Sequence, residues 1–503
     1  MIYEFFPDQK KLKLKCDLAG ECPIYIYWSK NSNRMLYSKS IKNLLKNDKI
    51  TKPLKINYEG LNFLLQSSVV PPPKTIYNNI FILNMGDEAE VTTVDKKIEI
   101  NFSHKFPFIN TNRSKKDDIK PNENLILELI AKATLDRIDK SKPSFLFHSA
   151  GKDSNTIALS LAEAGWQDKI TLITHKSKGK ADESEISSQI AKKLGFRHMT
   201  LYQTEKFENQ DKEAIKESFV NSNFPCVDSV SLAYPLYVNQ LPELKNSNII
   251  DGGGNDSYMT YLPKAYKLKC LALSRWTHNL SFMRQFLKSE SLFTPVLRTP
   301  AEWCGMTGLS LYDTKKIIPN VVDVYDFWKH KSNLNKDLDL IDFNNSIQTT
   351  LRFSEISLRK VRIFADTINS NLILPFTNQH VAEYFANLPE KYLFDRKNLK
   401  NKLILRKMLK ERIGLDSDAV GKMTFSHDTN IIVALNWKEI THEIEKCNLW
   451  NKQGIVDLIN RLKKKMQSSS KYSNFSGVLI YRLYLISCWK NYCKYVVLKN
   501  YES

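Results

Sequence analysis

Paired cysteines are missing from this sequence of 503 residues. Its cysteines include no Cys-x-x-Cys pair, which argues against the common zinc-ligand spacing and against a dense disulfide frame. We therefore predict reduced thiols and a cytoplasmic location. The cysteines are Cys16, Cys22, Cys226, Cys270, Cys304, Cys447, Cys488 and Cys493.

Long apolar runs are missing as well. The most apolar late stretch, residues 478–489, is short and contains Arg482, so it predicts a buried helix and not a membrane span. Residues 1–15 carry charges and no continuous apolar run, which predicts that no signal peptide is present. No membrane partner is expected.

Acidic residues are outnumbered, because 74 lysines and arginines stand against 54 aspartates and glutamates, a net charge of +20. The excess is mostly lysine, spread along the chain. This distribution favours a solvated surface that attracts anions such as ATP, and a nucleic-acid partner is the less favoured alternative. The hydrophobic fraction of 42% predicts packed cores.

The pattern of apolar residues divides the chain into parts. Residues 1–105 predict a β-rich domain, and residues 106–124, with prolines and polar clusters, predict a linker. Residues 125–260 alternate helix and strand, which predicts an α/β core with a parallel sheet and crossover helices. Residues 261–503 predict a helical lobe. Ligands of such sheets bind beyond the carboxyl ends of the strands.

One strand end carries the residues Ser149-Ala150-Gly151-Lys152-Asp153-Ser154. Small residues after a strand and before a helix allow a phosphate to approach several backbone N–H groups. Asp153 would repel a phosphate unless a divalent cation lay between them, so the pattern predicts a magnesium–pyrophosphate site. An ordinary turn capped by Asp153 or Ser154 is the alternative.

A second predicted strand ends in Asp251-Gly252-Gly253-Gly254-Asn255-Asp256. Consecutive glycines allow backbone conformations that are closed to other residues. Asp153 and Asp256, at two strand ends of one sheet, could hold Mg²⁺ against a pyrophosphate. A flexible glycine turn with a capping aspartate is the alternative here.

Further short motifs lie between residues 140 and 430. They are Asp182-Glu183-Ser184, Leu194-Gly195 with His198, Leu358-Arg359-Lys360-Val361, Leu374-Pro375-Phe376, Lys402-Leu403-Ile404-Leu405-Arg406 and Lys422-Met423-Thr424-Phe425-Ser426. With the two loops, they resemble the asparagine synthetase family of PP-loop ATP pyrophosphatases. Ala150 stands where that family has glycine, and Ser257 where it has glutamate.

The resemblance implies a PP-loop fold and a chemistry. ATP would adenylate a carboxylate, pyrophosphate would leave with Mg²⁺, and an amine would displace AMP to form an amide. Asp153 and Asp256 would hold the metal, and Lys422 would stabilise charge on the reacting carboxyl group. The cofactor-binding residues would be Ser149, Ala150, Gly151, Lys152, Asp153, Ser154, Gly252, Gly253 and Gly254.

Two departures from the family limit this expectation. Glutamine-using members have an N-terminal cysteine nucleophile, whereas residue 2 is Ile2 and residues 1–105 resemble only the later half of a glutaminase domain. Asn371 stands where the family has a glutamate that assists the amine. Glu355 or another carboxylate would have to replace it, or the substrate differs from aspartate.

The predicted function is ATP-dependent amide formation without glutamine hydrolysis. The substrate would be a small-molecule or peptide carboxylate, and the amine would be ammonia or a group on the substrate. A PP-loop enzyme that modifies a nucleotide or tRNA, and a catalytically degenerate binding protein, are the alternatives. The sequence does not indicate an oligomeric state.

Overall fold

The first hundred residues form β-strands of about four to eight residues, and burial alternates most clearly along the strand at residues 87–94. In this computed structural model, which describes residues 1–6, 8, 11–30, 32–108, 119–176, 183–420, 428–469 and 473–496, they are β1 Ile2–Phe5, β2 Lys11–Lys15, β3 Ile24–Tyr27, β4 Met35–Ser38, β5 Ile80–Leu83, β6 Asp87–Val94 and β7 Lys97–His104. Helices α1 Ile41–Lys46 and α2 Tyr58–Ser67 connect β4 to β5.

These strands make two antiparallel sheets, with the orders β1-β4-β3-β5 and β2-β6-β7. Ala89 and Val91 on β6, Ile26 on β3 and Met35 on β4 belong to one buried apolar cluster. The two sheets therefore share a core, as the β-rich pattern predicted. The β-rich residues Thr75-Ile76-Tyr77 predict a further strand, which is wrong. Thr75 Oγ1 accepts from the Tyr77 N–H and donates to Ile80 O, and these bonds close a turn.

A parallel sheet lies at the centre of the next part, as predicted. Its strands are β8 Ser144–Phe147, β9 Ile170–Lys176, β10 Arg197–Tyr202, β11 Asn248–Ile250 and β12 Asn371–Ile373. The order is β10-β9-β8-β11-β12, with parallel pairing throughout the described residues. The helices of this part are α3 Glu123–Leu135, α4 Lys152–Glu163, α5 Ser184–Leu194, α6 Asn209–Asn221 and α7 Ala233–Gln240.

The strands are apolar on both faces because helices cover both sides of the sheet. Leu146 of β8 packs with Ile157 of α4 on one side. Phe145, its neighbour in the chain, packs with Tyr234 of α7 on the other side. Successive side chains of a strand point to opposite faces, so this run of apolar residues serves two cores.

The remaining chain is mostly helical, as predicted. It contains α8 Asp256–Met259, α9 Ala265–Thr277, α10 Pro300–Trp303, α11 Leu311–Ile317, α12 Tyr325–Leu334, α13 Leu340–Ile347, a π-helical segment Gln348–Leu358, α14 Arg359–Thr367, α15 Gln379–Ala386, α16 Glu390–Leu393, the strand pair β13 Phe394–Asp395 and β14 Lys400–Asn401, α17 Leu403–Ile413, α18 Ser417–Val420, α19 Thr429–Leu435, α20 Trp437–Glu445, α21 Lys452–Met466 and α22 Ser473–Tyr492.

The largest buried cluster joins the two ends of the chain. Leu44 of α1 and Ile80 of β5 lie in one apolar core with Ile440 of α20 and Trp489 of α22. The hydroxyl of Tyr77 donates to Asn223 O, close to the same core. The β-rich part thus shares its core with helices from the last hundred residues.

The predicted linker begins with buried residues. Phe106 and Phe108 pack edge to face, and Phe108 makes the same contact with Tyr258 of α8. Residues 109–118 of that linker lie outside the described residues. The domain limits at 105 and 124 stay a prediction. No helix in the described residues combines the length and apolarity that a membrane crossing requires.

Candidate nucleotide-binding site

The first predicted loop lies between β8 and α4, where a strand meets a helix start. Gly151 precedes the helix without any side-chain cap, so neither Asp153 nor Ser154 acts as the cap that the alternative required. The Gly151 N–H donates to Ser149 Oγ at 3.0 Å, and the Ser149 N–H donates to Ser154 Oγ at 3.2 Å. These contacts hold the loop in a tight curve.

The second loop follows β11, the strand next to β8 in the sheet. Asp251 is half-buried, and its Oδ1 accepts from the Gly253 N–H at 2.8 Å. Burial raises the pKa of Asp251, while the hydrogen bond from the Gly253 N–H and the charge of Lys360 act to lower it. Since β8 and β11 are parallel neighbours, their loops meet at one edge of the sheet.

Glycine is needed where the two loops touch. A Cβ on Gly252 would lie 3.1 Å from both Asp153 Cβ and Ser154 N, and a Cβ on Gly254 would lie 2.4 Å from Thr377 Cγ2. Gly254 also has a φ of +124°, which L residues rarely adopt. The glycines therefore let the second loop lie directly over the first turn of α4.

The two predicted metal ligands converge on one cation. The ammonium group of Lys402 lies 2.7 Å from Asp153 Oδ2 and 2.9 Å from Asp256 Oδ1. Asn255 Nδ2 donates to Asp153 Oδ1 at 2.6 Å. Burial lowers the pKa of Lys402, but the attraction of the two carboxylates outweighs it and raises that pKa. A single position is thus surrounded by oxygen ligands and already suits a positive charge.

This donor set fits the predicted magnesium ion. Carboxylate oxygens from two strand ends are hard ligands of the kind that Mg²⁺ takes, usually through one or two carboxylates. Lys402 adopts a left-handed backbone conformation with a φ of +58° just before α17, which aims its side chain back at the loops. Sequence reasoning placed Lys402 in a motif but gave it no role.

Glu183 is a second residue whose role was missed. It directly precedes α5, and its Oε2 accepts from the Ala150 N–H at 3.1 Å. Burial raises the pKa of Glu183, and that N–H opposes the shift. The Asp182-Glu183-Ser184 motif was the available signal, although residues 177–182 lie outside the described residues.

His148 supports the first loop through Asn155. It is buried, and its Nε2 lies 2.9 Å from Asn155 Oδ1, while Asn155 Nδ2 donates to Ser149 O and Gly151 O. Burial lowers the pKa of His148 to about 4. The ring is therefore neutral near pH 7 and acts as a fixed support for the loop.

Asn371 is not brought to this edge of the sheet. It opens β12 opposite Asn248, the first residue of β11, and so lies at the amino end of the parallel strands. Its Nδ2 donates to Arg137 O at 2.6 Å and to Asn248 Oδ1 at 3.1 Å. These bonds connect the sheet to the turn that follows α3 and give Asn371 a structural task.

Glu355 is held in a buried network with the β-rich part. Arg359 pairs with its Oε2, and Asn84 Nδ2 donates to its Oε1. Arg359 also lies over the Phe224 ring at 4.6 Å from the centroid. The hydrogen-bonding partners of Glu355 are thus residues outside both loops, and its catalytic role stays a prediction.

Lys422 and the motif that contains it lie outside the described residues, and its catalytic role stays a prediction. No set of three or more His, Cys, Asp or Glu residues in the described chain is arranged to hold a metal. The candidate metal position therefore rests on the pair Asp153 and Asp256.

Comparison with known proteins finds a distant relative. The chain is 25% identical over 264 residues to a protein of Methanocaldococcus jannaschii named "Putative asparagine synthetase (glutamine-hydrolyzing) 2". The match covers 51% of this chain and 49% of the relative, so the chain spans about half the length of the relative it matches. No family model matches the chain. The similarity supports at most a distant relation to asparagine synthetases and suggests a ligase-type enzyme.

Proposed function

We propose that the protein is an ATP-dependent ligase that activates a carboxylate as its adenylate and forms an amide. A carboxylate oxygen would attack the α-phosphorus of ATP and release pyrophosphate. An amine would then attack the carbonyl carbon, lose a proton and release AMP. The observation that carries this proposal is the convergence of Asp153 and Asp256 on one cation beside a loop of small residues.

The residues of the site have separate tasks in this proposal. The backbone N–H groups of Ser149, Ala150 and Gly151 would exchange their contacts to Ser154 Oγ, Glu183 Oε2 and Ser149 Oγ for phosphate oxygens at the start of α4. Asp153 and Asp256 would hold Mg²⁺, which when bound would offset the negative charge of the pyrophosphate. Lys402 would turn from the carboxylates to the phosphate oxygens, and Lys422 would act on the reacting carboxyl group.

The amine is proposed to be ammonia or a group on the substrate. A cysteine that attacks glutamine needs a lowered pKa. Burial instead raises the pKa of both Cys16 and Cys22, the thiols of the β-rich part. Neither thiol is therefore suited to act as a nucleophile.

The proposal is tested by exchange of labelled pyrophosphate into ATP with pools of carboxylic acids and Mg²⁺. We expect exchange in the wild type and a loss of at least about a hundredfold in Asp153→Asn and Asp256→Asn. Asp168→Asn is the matched control, because Asp168 is exposed just before β9, at the opposite edge of the sheet.

Two outcomes would overturn the proposal. One is release of phosphate and ADP in place of pyrophosphate and AMP, since that chemistry activates a carboxylate by phosphorylation. The other is binding of ATP·Mg with no ATP turnover in the presence of any pool of carboxylic acids, with or without ammonia. That result would favour the binding-protein alternative. If amide formed as fast with glutamine alone as with ammonia, the proposed amine source would be contradicted.

A further inference from the structure

Four basic side chains from separate parts of the chain act on one another electrostatically in the helical region. Lys267 comes from α9, Arg298 from the segment before α10, Arg352 from the π-helical segment and Arg482 from α22. All four are half-buried. We call these residues the cationic cluster.

The backbone of residues 305–307 lies between two members of this cluster. The Arg482 Nη1 donates to Thr307 O at 2.6 Å. On the other side, a Cβ on Gly305 would lie 2.6 Å from Arg352 Cδ and 2.7 Å from Gln348 Oε1. Gly305, with a φ of +112°, thus allows Arg352 and Gln348 to approach the chain closely.

Two polar atoms of this region are buried with no hydrogen-bond partner. They are Gln348 Oε1 and Arg482 Nε. Gln348 is 1% exposed. Buried polar atoms nearly always have a partner, and leaving one without a partner costs free energy. An anionic ligand could accept a hydrogen bond from Arg482 Nε, whereas Gln348 Oε1 is an acceptor and would need a donor, such as a hydroxyl group of the ligand.

The charges of the cluster repel one another. Burial lowers the pKa of Lys267, and Arg352 and Arg298 lower it further. Burial and Arg352 lower the pKa of Arg482 to about 10, against the attraction of Asp228. Asp228 is shared, because Lys360 lies 3.3 Å from its Oδ1. Arg298 also lowers the pKa of Glu302, which pairs with Arg284 at 2.9 Å. Both of these carboxylates are thus shared with cations outside the cluster, and perturbed groups of this kind are often found at binding sites.

The cluster lies beside the candidate nucleotide site. The charge of Lys360 acts to lower the pKa of both Asp228 and Asp251, and Asp251 begins the second loop. The π-helical segment that carries Arg352 also brings Phe353 Cζ to 3.6 Å from the Cβ position of Gly253. π-Helical turns are often found at functional sites. A carboxylic acid activated at the loops could therefore extend into the cluster.

We propose that the cationic cluster binds the anionic groups of the substrate, so that the substrate is a small carboxylic acid with further carboxylate or phosphate groups. That the bound anion is a substrate rests on the proposed ligase function, but the anion-binding site itself does not. Half-buried arginines and a lysine from four elements suit a small polyanion, which arginine can bind through paired hydrogen bonds.

Binding is measured by calorimetry without ATP or Mg²⁺, so that the outcome is separate from that of the adenylation test. The probes are tricarballylate, 3-phosphoglycerate and, as the singly charged match, butyrate. We expect one of the two polyanions to bind at least about tenfold more tightly than butyrate. Tricarballylate alone would indicate a polycarboxylate, and 3-phosphoglycerate alone a phosphorylated acid.

Lys267→Met and Arg352→Gln are expected to weaken polyanion binding at least about tenfold. Arg275→Gln is the control, since Arg275 is exposed on the same helix as Lys267. Without ligand, Lys267→Met should unfold at or above the wild-type temperature, because it removes a desolvated cation from like charges. A merely structural lysine would give a lower unfolding temperature.

Three results would overturn the inference. The first is equal binding of butyrate and both polyanions, or no binding of either polyanion. The second is undiminished polyanion binding in both cluster variants. The third is a loss of ATP·Mg binding in Arg352→Gln, which would assign the cluster to the nucleotide. Failure of pyrophosphate exchange would refute the proposed function and leave polyanion binding unaffected.

Discussion

Removal of the Lys402 ammonium group should destabilise the protein in a way that Mg²⁺ reverses. Lys402 pairs with Asp153 and Asp256 at 2.7 and 2.9 Å, and its own side chain is 8% exposed. In Lys402→Met the two carboxylates would lose their shared counter-charge. Mg²⁺ is expected to bind the same carboxylates and to restore much of the lost stability.

The size of the effect follows from burial. Breaking a fully buried pair costs roughly 3–5 kcal/mol, because one charge is left without a partner. Asp153 and Asp256 are 29% and 17% exposed, so water screens part of that cost. We expect Lys402→Met to lower the free energy of unfolding by about 2 kcal/mol without Mg²⁺.

The assay is urea unfolding followed by tryptophan fluorescence, with EDTA and with millimolar Mg²⁺. Mg²⁺ should stabilise the variant more than the wild type, in which the ammonium competes for the same position. Lys400→Met is the matched control. Its partner Asp418 is 3.1 Å away, both side chains are about half exposed, and its loss should cost less than about 0.5 kcal/mol.

The reasoning is refuted if Lys400→Met and Lys402→Met cost the same. It is equally refuted if Mg²⁺ stabilises the variant no more than the wild type. Either result would mean that the two carboxylates do not share one cation position in solution.

Two further predictions concern the loops. The pKa of His148 is lowered to about 4 by burial, against about 6.5 in an unfolded chain, so the unfolded chain takes up the proton first as pH falls. The stability that the neutral ring contributes above pH 6.5 is then lost as the pH falls to about 4. Between these pH values, the difference in unfolding free energy between wild type and His148→Gln should shrink by up to about 3 kcal/mol. A constant difference would contradict a buried neutral ring. Gly254→Ala should cost at least about 2 kcal/mol in urea unfolding, since its Cβ would lie 2.4 Å from Thr377 Cγ2 and its φ is +124°. Gly165→Ala, with a φ of +76° and open space around its Cβ, should cost about 1 kcal/mol, and equal costs would contradict the close contact at Gly254.

Local patterns were sufficient for the elements that carry the site. A short apolar run followed by small residues and an amphipathic helix predicts β8, its loop and α4, because each depends on neighbours in the chain. The apolar periodicity of residues 184–194 predicts a helix, and α5 has the same two ends. Gly195, just after it, adopts the left-handed conformation that closes a helix. Parallel pairing followed from the alternation of strands and helices.

Other features of the structure depend on tertiary contacts that no local pattern shows. The polar composition of residues 106–124 indicated a linker, but Phe106 and Phe108 gain more from burial beside Tyr258 than they would in solvent. Asn371 was placed by its distance from Pro375, and only the register of β12 with β11 shows that it lies at the amino end of the sheet.

The sequence by itself determined the two strand-end loops, since their residue types act through local backbone geometry. Only the tertiary structure decided what lies between them. Lys402 is 249 residues from Asp153 in the chain, and the cationic cluster unites four distant segments. Such pairings depend on how helices pack against the sheet, and no local pattern in one sequence records that packing.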